Sequence, residues 1–367
     1  MEQKIICTSC SRVIGGDEQT YTIYGDIICE DCADGKTVIC DRCGERIWDS
    51  ENEGDENITL CTSCYDRYYT TCDICDAVIN TDDVIYDDDD RPYCAECYDK
   101  HCGSIHNYSY KPEPIFYGTS NRYFGVELEI DNGGKLSANA DRILTAGNSY
   151  AEHIYIKTDG SLDDGMEIVT HPMTLNYHIN QMPWQEIMQE AIRLGYHSHR
   201  TNTCGLHIHV NKNSLGDTHE LQDERISRIL YFVEHHWEEL LKFSRRTESQ
   251  MNRWAARYGY KNNPSEMIEH AKKNGNGRHS CVNITNYDTI EFRMFRGTLK
   301  LNSLIAAIQL VDIICEMAIT FSDTEIKSIG WTEFAESIDV QEYSELITYL
   351  KKRRLYVNDP VESEEDV

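Results

Sequence analysis

Six C-x-x-C pairs occupy the first hundred residues of this 367-residue chain: Cys7/Cys10, Cys29/Cys32, Cys40/Cys43, Cys61/Cys64, Cys72/Cys75 and Cys94/Cys97. The first members of alternate pairs, Cys7, Cys40 and Cys72, recur at periods of 33 and 32 residues, which marks a triplicated unit. Each unit supplies four thiolates from two knuckles, the closed tetrahedral ligand set of structural Zn²⁺. A closed site leaves no open coordination position, so no catalysis is expected there. Regular knuckles are rare in disulfide frameworks, and the chain shows no export signal, so metal ligation is the better reading than disulfides. Sharing of ligands between neighbouring units in a cross-braced arrangement is an alternative that spacing leaves open.

Three modules are therefore expected within residues 1–102, at about 7–32, 40–64 and 72–97. Each is too short to bury a core, so bound metal would supply most of its folding free energy. The modules resemble LIM-type or zinc-ribbon fingers, but no histidine stands at a ligand position and seven residues separate successive units. Residues 1–102 hold 25 Asp and Glu against 8 Lys and Arg, a net of −17. Phosphate backbones would be repelled, so the fingers read as a protein-binding or purely structural module and not as a nucleic-acid reader. The whole chain carries −28. No signal peptide or membrane span is expected, because the longest apolar run, residues 304–319, is broken by Gln309, Asp312 and Glu316. A cytoplasmic protein with no membrane partner is the expectation. Residues 103–122, with Pro112 and Pro114, read as a linker, 123–355 as a second domain and 356–367 as a disordered acidic tail.

The second domain repeats one pattern on several segments. In "FGVELEI", Phe124 to Ile130, Glu127 and Glu129 share one strand face while Val126, Leu128 and Ile130 share the other. "GLHIHVN" places His207 and His209 together, and "TIEFRMFRG" places Glu291, Arg293 and Phe295 together. "GMEIVTH" carries Glu167 after the turn "KTDGSLDDG". Amphipathic or apolar helices are predicted over 225–241 and 301–321, with shorter ones at 184–194, 264–273, 332–337 and 342–352. The fold class is α+β: a mostly antiparallel sheet with one charged face and helices behind it.

A solvated face would carry Thr, Lys and mixed charges. The set here is Glu, Glu, Glu, His, His, Glu and Arg, which suits divalent cations, with Mg²⁺ or Mn²⁺ favoured by the carboxylates. Several cations on one face are best explained by a polyphosphate lying over them. Arg245, Arg246, Arg253, Arg278 and Arg296 stand in or near loops where they can reach nucleotide phosphates, although each also fits a surface or helix-capping arginine.

In their order along the chain, "FGVELEI", "KTDGSLDDGMEIVTHP", "CGLHIHVN" and "TIEFRMFRGT" resemble the motifs of the amidoligase family, relatives of glutamine synthetase and glutamate–cysteine ligase. The resemblance implies a glutamine synthetase-like curved sheet, with Glu127, Glu129, Glu167, His207 and Glu291 as magnesium ligands. Arg293 would reach a phosphate or a substrate carboxylate. His209, Asp159 and Ser161 are candidates for substrate contact, though His209 also fits a place behind the ligands and the other two fit turn chemistry. The implied activity is ATP-dependent joining of a carboxylate and an amine, either of which may belong to a protein, through an acyl phosphate. A guanidino-kinase-like phosphoryl transferase and an inactive zinc-finger adaptor are the alternatives.

Overall fold

The computed structural model describes residues 5–86, 90–98, 103–273 and 277–356. It divides into two compact units, Met1–Gly103 and Ser104–Val367. The expected acidic tail, apart from Tyr356, and the "DDDD" run up to residue 89 lie outside the described residues.

The first unit is a string of small hairpins. In the first repeat, β1 (Ile5–Ile6) pairs with β2 (Val13–Ile14), and β3 (Thr20–Ile23) with β4 (Asp26–Cys29), which leads into α1 (Glu30–Lys36). The second has β5 (Thr37–Ile39), β6 (Arg46–Trp48) and α2 (Thr62–Tyr68). The third has β7 (Tyr69–Thr71), β8 (Val78–Asn80), β9 (Ile85–Tyr86), β10 (Pro92–Tyr93) and α3 (Ala95–Cys97). The first knuckle of each repeat sits in the turn of its opening hairpin and the second at the start of its helix. Each repeat buries two or three of its four cysteines and a few apolar side chains, such as Ile47 and Leu60 in the second.

The second unit is built on six antiparallel strands. In chain order its elements are β11 (Phe124–Ile130), α4 (Ser137–Gly147), β12 (Ile154–Lys157), β13 (Met166–Thr170), α5 (Leu175–Asn180), α6 (Trp184–Arg193) and β14 (Gly205–Asn211). There follow α7 (His219–His235), α8 (Trp237–Ser244), α9 (Glu248–Trp254), α10 (Pro264–Lys273), β15 (Val282–Asn283) and β16 (Thr289–Arg296). The chain closes with α11 (Leu301–Thr320), α12 (Asp323–Ser328), α13 (Trp331–Ser337) and α14 (Ser344–Lys352). The strand order is β12-β13-β11-β14-β16-β15. The apolar faces of the long strands, including Val126, Leu128, Ile168, Ile208 and Phe292, are fully buried in one core with α7 and α11.

α11 is long and apolar enough to cross a membrane, but most of it is buried inside the unit. Its Asp312 is matched by Arg122 at 2.6 Å and accepts a hydrogen bond from Tyr343 Oη at 2.8 Å.

Three expectations need correction. Residues 104–122 are not a free linker. Ile105 joins the main core, His106 exchanges backbone hydrogen bonds with Ile156 and Thr158, and Tyr117 does so with Pro172 and Thr174. The prolines limit this segment to isolated bridges, so it lacks a strand's alternation. The helix expected over 225–241 is two helices, parted at His236 (φ −105°, ψ 34°), because a hydrophobic stripe continues across a one-residue break. Phe295 does not extend the charged face. A register shift between Leu206 and Ile208 interrupts the β14/β16 ladder, and Phe295 is buried edge-on to Phe243 of α8.

Candidate metal and catalytic site

In the first unit the twelve cysteines gather into three groups of four, each within its own repeat: Cys7/Cys10/Cys29/Cys32, Cys40/Cys43/Cys61/Cys64 and Cys72/Cys75/Cys94/Cys97. This removes the cross-braced alternative. The knuckles approach at 3.8 Å (Cys10–Cys29), 3.9 Å (Cys43–Cys61) and 3.8 Å (Cys75–Cys94) between sulfurs. A tetrahedron of 2.3 Å Zn–S bonds sets its sulfurs about 3.8 Å apart, and a disulfide would need about 2 Å. Backbone N–H groups of Cys29, Cys64 and Cys97 donate to Cys7, Cys61 and Cys94 Sγ at 3.4 Å, as thiolate ligands require. The donor set fits structural zinc.

In the second unit, register does what sequence spacing alone cannot. Glu129 pairs with Glu167 across β11/β13, Glu127 with His207 across β11/β14, and His209 with Glu291 across β14/β16. All six side chains therefore stand on one face of four adjacent strands. His207 Nδ1 lies 3.2 Å from Glu127 Oε2 and 3.7 Å from Glu291 Oε1, while its Nε2 lies 3.8 Å from Glu129 Oε1. One imidazole thus stands between two ligand groups, Glu127–His207–Glu291 and Glu129–Glu167–His207.

Glu129, Glu167 and Glu291 are only 4%, 3% and 4% exposed, so their charges need compensation from within. For Glu127, burial would raise the pKa, but the charge of His209 and hydrogen bonds from His207 and His209 hold it well below the usual carboxylate range. Glu291 is likewise lowered, burial being outweighed by His209, His207 and Arg293, and Asn283 donates to it at 2.9 Å. Glu129 and Glu167 lack such support. Burial raises Glu129 despite His207 and the Gly205 N–H. Burial and the charges of Glu127 and Glu129 push Glu167 well up, against Lys157 at 3.5 Å. The protein's own cations serve two carboxylates and leave two wanting positive charge. A bound divalent cation would supply it, and the oxygen-rich donor set fits Mg²⁺ or Mn²⁺.

Glu127, Glu129, Glu167 and His207 line a cavity of about 310 Å³ that also takes in Asp159, Ser161, Arg246 and Arg293, while Glu291 stands behind it, hydrogen-bonded to Arg293 and Asn283. Asp159 and Ser161 form a turn, Ser161 N–H donating to Asp159 Oδ1 at 2.6 Å, and both still face the cavity.

Two expectations shift. His209 does not line the cavity: its Nε2 sits 3.3 Å from Glu127 Oε1 and its Nδ1 3.2 Å from Thr289 Oγ1. Its pKa is raised, because the Glu127 charge outweighs burial, so it acts as a counter-charge behind Glu127. Of the five arginines read as able to reach nucleotide phosphates, Arg246 alone is seen in this cavity, and Arg253 stacks on Trp254 beside it. Arg245 and Arg296 line a different one, and the Arg278 side chain lies outside the described residues.

The sequence reading missed Lys157, Tyr108, Thr203, Trp254 and His279, all on the cavity wall. A signal existed for Lys157. "IYIK" alternates up to the Asp-Gly turn, making it the first arm of the β12/β13 hairpin, in which Lys157 pairs with Glu167.

Comparison with known proteins bears on this unit. Residues 150–315 match a family model described as "Putative amidoligase enzyme". The family resemblance read from the motifs is borne out over that region; the match begins after β11, which carries Glu127 and Glu129. No curated protein matches the chain. Fourteen chains among solved structures match. One is a bifunctional glutathione synthetase from Pasteurella multocida, 13% identical with a TM-score of 0.33, the alignment covering 64% of this chain and 46% of that one. The chain thus spans less than half the length of that protein.

Proposed function

We propose, from the amidoligase match of residues 150–315 and the carboxylate-rich sheet face, that this protein is an ATP-dependent carboxylate–amine ligase with a glutamine synthetase-like sheet. The observation that carries the reading is the pair of ligand groups sharing His207, set in a cavity that also presents Arg246, Arg293 and Lys157. Glu127, Glu129, Glu167, His207 and Glu291 would hold Mg²⁺ or Mn²⁺. When bound, such ions neutralise and orient a triphosphate.

The protein's own groups then have distinct tasks. Arg246 and Arg293 place fixed positive charge beside the negative charge that develops on phosphoryl oxygens during transfer. Lys157, buried beside Glu167, offers an ammonium to a substrate carboxylate near the Asp159–Ser161 turn. A carboxylate oxygen attacks the γ-phosphorus of ATP in line, giving an acyl phosphate and ADP. An amine then attacks the acyl carbon, the C–O bond to phosphate breaks, and the amine loses a proton as the amide forms.

The zinc unit, acidic and separately folded, would recruit a macromolecular substrate bearing the carboxylate or the amine. The reaction would take place in the cytoplasm. The test is ADP release against pools of amino acids and amines, with product analysis. An amide formed with one ADP and one phosphate, abolished in Glu127→Gln, supports ligation. A stable phosphorylated product would indicate a kinase, and equal ADP release by wild type and variant would overturn the metal assignment.

A further inference from the structure

Arg246 borders two cavities. Besides the carboxylate site, it lines a second pocket of about 400 Å³ with Lys242, Arg245, Arg296, Arg353 and a single acid, Glu238. In a chain of net charge −28, five cations around one pocket call for an explanation.

Internal ion pairing does not provide it. Among the described residues none of the five makes an ion pair; their hydrogen bonds go to backbone carbonyls. Arg353 Nη2 donates to Lys242 O at 2.8 Å, Lys242 Nζ to Arg354 O at 3.1 Å and Arg246 Nε to Phe295 O at 3.2 Å. Arg296 donates to Thr201 O at 3.3 Å and Arg245 O at 3.4 Å, and its Nε is buried with no hydrogen-bond partner. Carbonyl oxygens fix the guanidinium planes without supplying a counter-charge; Arg246 faces Glu129 on its other side, whereas Arg245, Arg296 and Arg353 pair with no carboxylate among the described residues. The effect on a neighbour is direct: His199, on the same wall, is held at about 4 by burial and by the charges of Arg245 and Arg296.

The backbone adds an independent observation. Arg245 is the C-cap of α8 and adopts the left-handed conformation (φ 62°, ψ 15°), a position where glycine is strongly preferred. A side chain kept there against that preference is explained by what it presents to the pocket.

We propose that this pocket is a binding site for a phosphoryl oxyanion, engaged by Arg245, Arg296 and Arg353 and independent of divalent cations. A monocarboxylate would leave most of the charge unmatched. A phosphoryl group brings nearly two negative charges and three acceptor oxygens, which suits several guanidinium forks at once. The site stands apart from the ligase reading, since no carboxylate of the metal groups lines it. Because Arg246 belongs to both cavities, an oxyanion here lies next to the catalytic face.

The test is calorimetric titration of the zinc-loaded full chain with inorganic phosphate and with phosphoserine, at constant ionic strength and without added Mg²⁺ or Mn²⁺. Saturable binding is expected. It should weaken about tenfold or more in Arg245→Gly and in Arg353→Gln, and persist in the double variant Glu127→Gln/Glu129→Gln. Arg245→Gly suits the backbone, so its melting temperature should stay level or rise while binding falls. Stronger binding of phosphoserine assigns the pocket to a phosphorylated ligand, and stronger binding of phosphate to the free ion. Absence of binding by wild type, unchanged binding in both arginine variants, or loss in the double glutamate variant would overturn the proposal.

Discussion

Gly205 opens β14 at the centre of the carboxylate face, and Gly205→Ala probes one ligand group without removing a ligand. A Cβ there would stand 2.5 Å from Arg246 Nη2, 2.8 Å from His207 Nε2 and 3.3 Å from Glu129 Oε2, where ordinary contact begins near 3.4 Å. Arg246 must therefore retreat by about 0.9 Å and His207 by about 0.6 Å, inside a strand paired on both sides. Overpacking of this kind costs about 1–3 kcal/mol, or about 2–10 °C in melting temperature for a unit of this size. The functional loss should be larger, because a displacement near 1 Å at a reacting centre costs about 100-fold in rate. The methyl intrudes on Glu129–Glu167–His207 directly and reaches Glu127–His207–Glu291 only through the shared imidazole, so Mn²⁺ affinity should fall further at the first group than at the second in an electron paramagnetic resonance titration. Wild-type stoichiometry and affinity in Gly205→Ala would refute the placement of an ion beside His207 Nε2.

Glu167→Gln tests the charge imbalance through pH. The folded-state pKa of Glu167 is raised, so without metal its ionisation favours the unfolded chain, and the native state loses stability as pH rises past the unfolded value of about 4.3. Metal-free Glu167→Gln should melt higher than wild type at pH 7 and equally at pH 4, with the order at pH 7 reversed by saturating Mn²⁺; scanning calorimetry reads all three. Arg122→Ala strands Asp312 in the apolar helix α11 and should destabilise the second unit by about 3–5 kcal/mol in urea unfolding, whereas a change under 1 kcal/mol would show that the pair is dispensable. Strong chelation should release three zinc ions per chain and erase the amide dispersion of the first unit in NMR spectra, leaving the second unit folded; retained dispersion would contradict metal-dependent folding.

Much of this architecture is local in origin and was legible for that reason. C-x-x-C spacing fixes ligands within a knuckle, and alternation at Glu127/Glu129, His207/His209 and Glu291/Arg293 fixes a strand face. What depends on register was not legible. That Glu129 faces Glu167, and that His207 bridges two groups, follows from pairing between residues 38 and 80 positions apart in the chain. Lys157 was missed because it was taken as the first residue of the turn "KTDGSLDDG" and the short strand that it ends was not read. Arg245 and Arg296 look like any loop-proximal arginines in sequence, and the packing of α8 against β16 places them in a cavity other than the carboxylate-lined one. The segment 104–122 misled for the opposite reason: its prolines suppress regular structure without preventing it from packing.

Divalent-cation binding by the carboxylate face of the second unit is the property on which the proposed function rests. It is tested most directly by Mn²⁺ titration of the zinc-loaded chain at neutral pH, read by electron paramagnetic resonance. The account predicts saturable binding by wild type, lost in the Glu127→Gln/Glu129→Gln variant while its melting transition persists. No saturable binding, or binding identical in the two proteins, would contradict it.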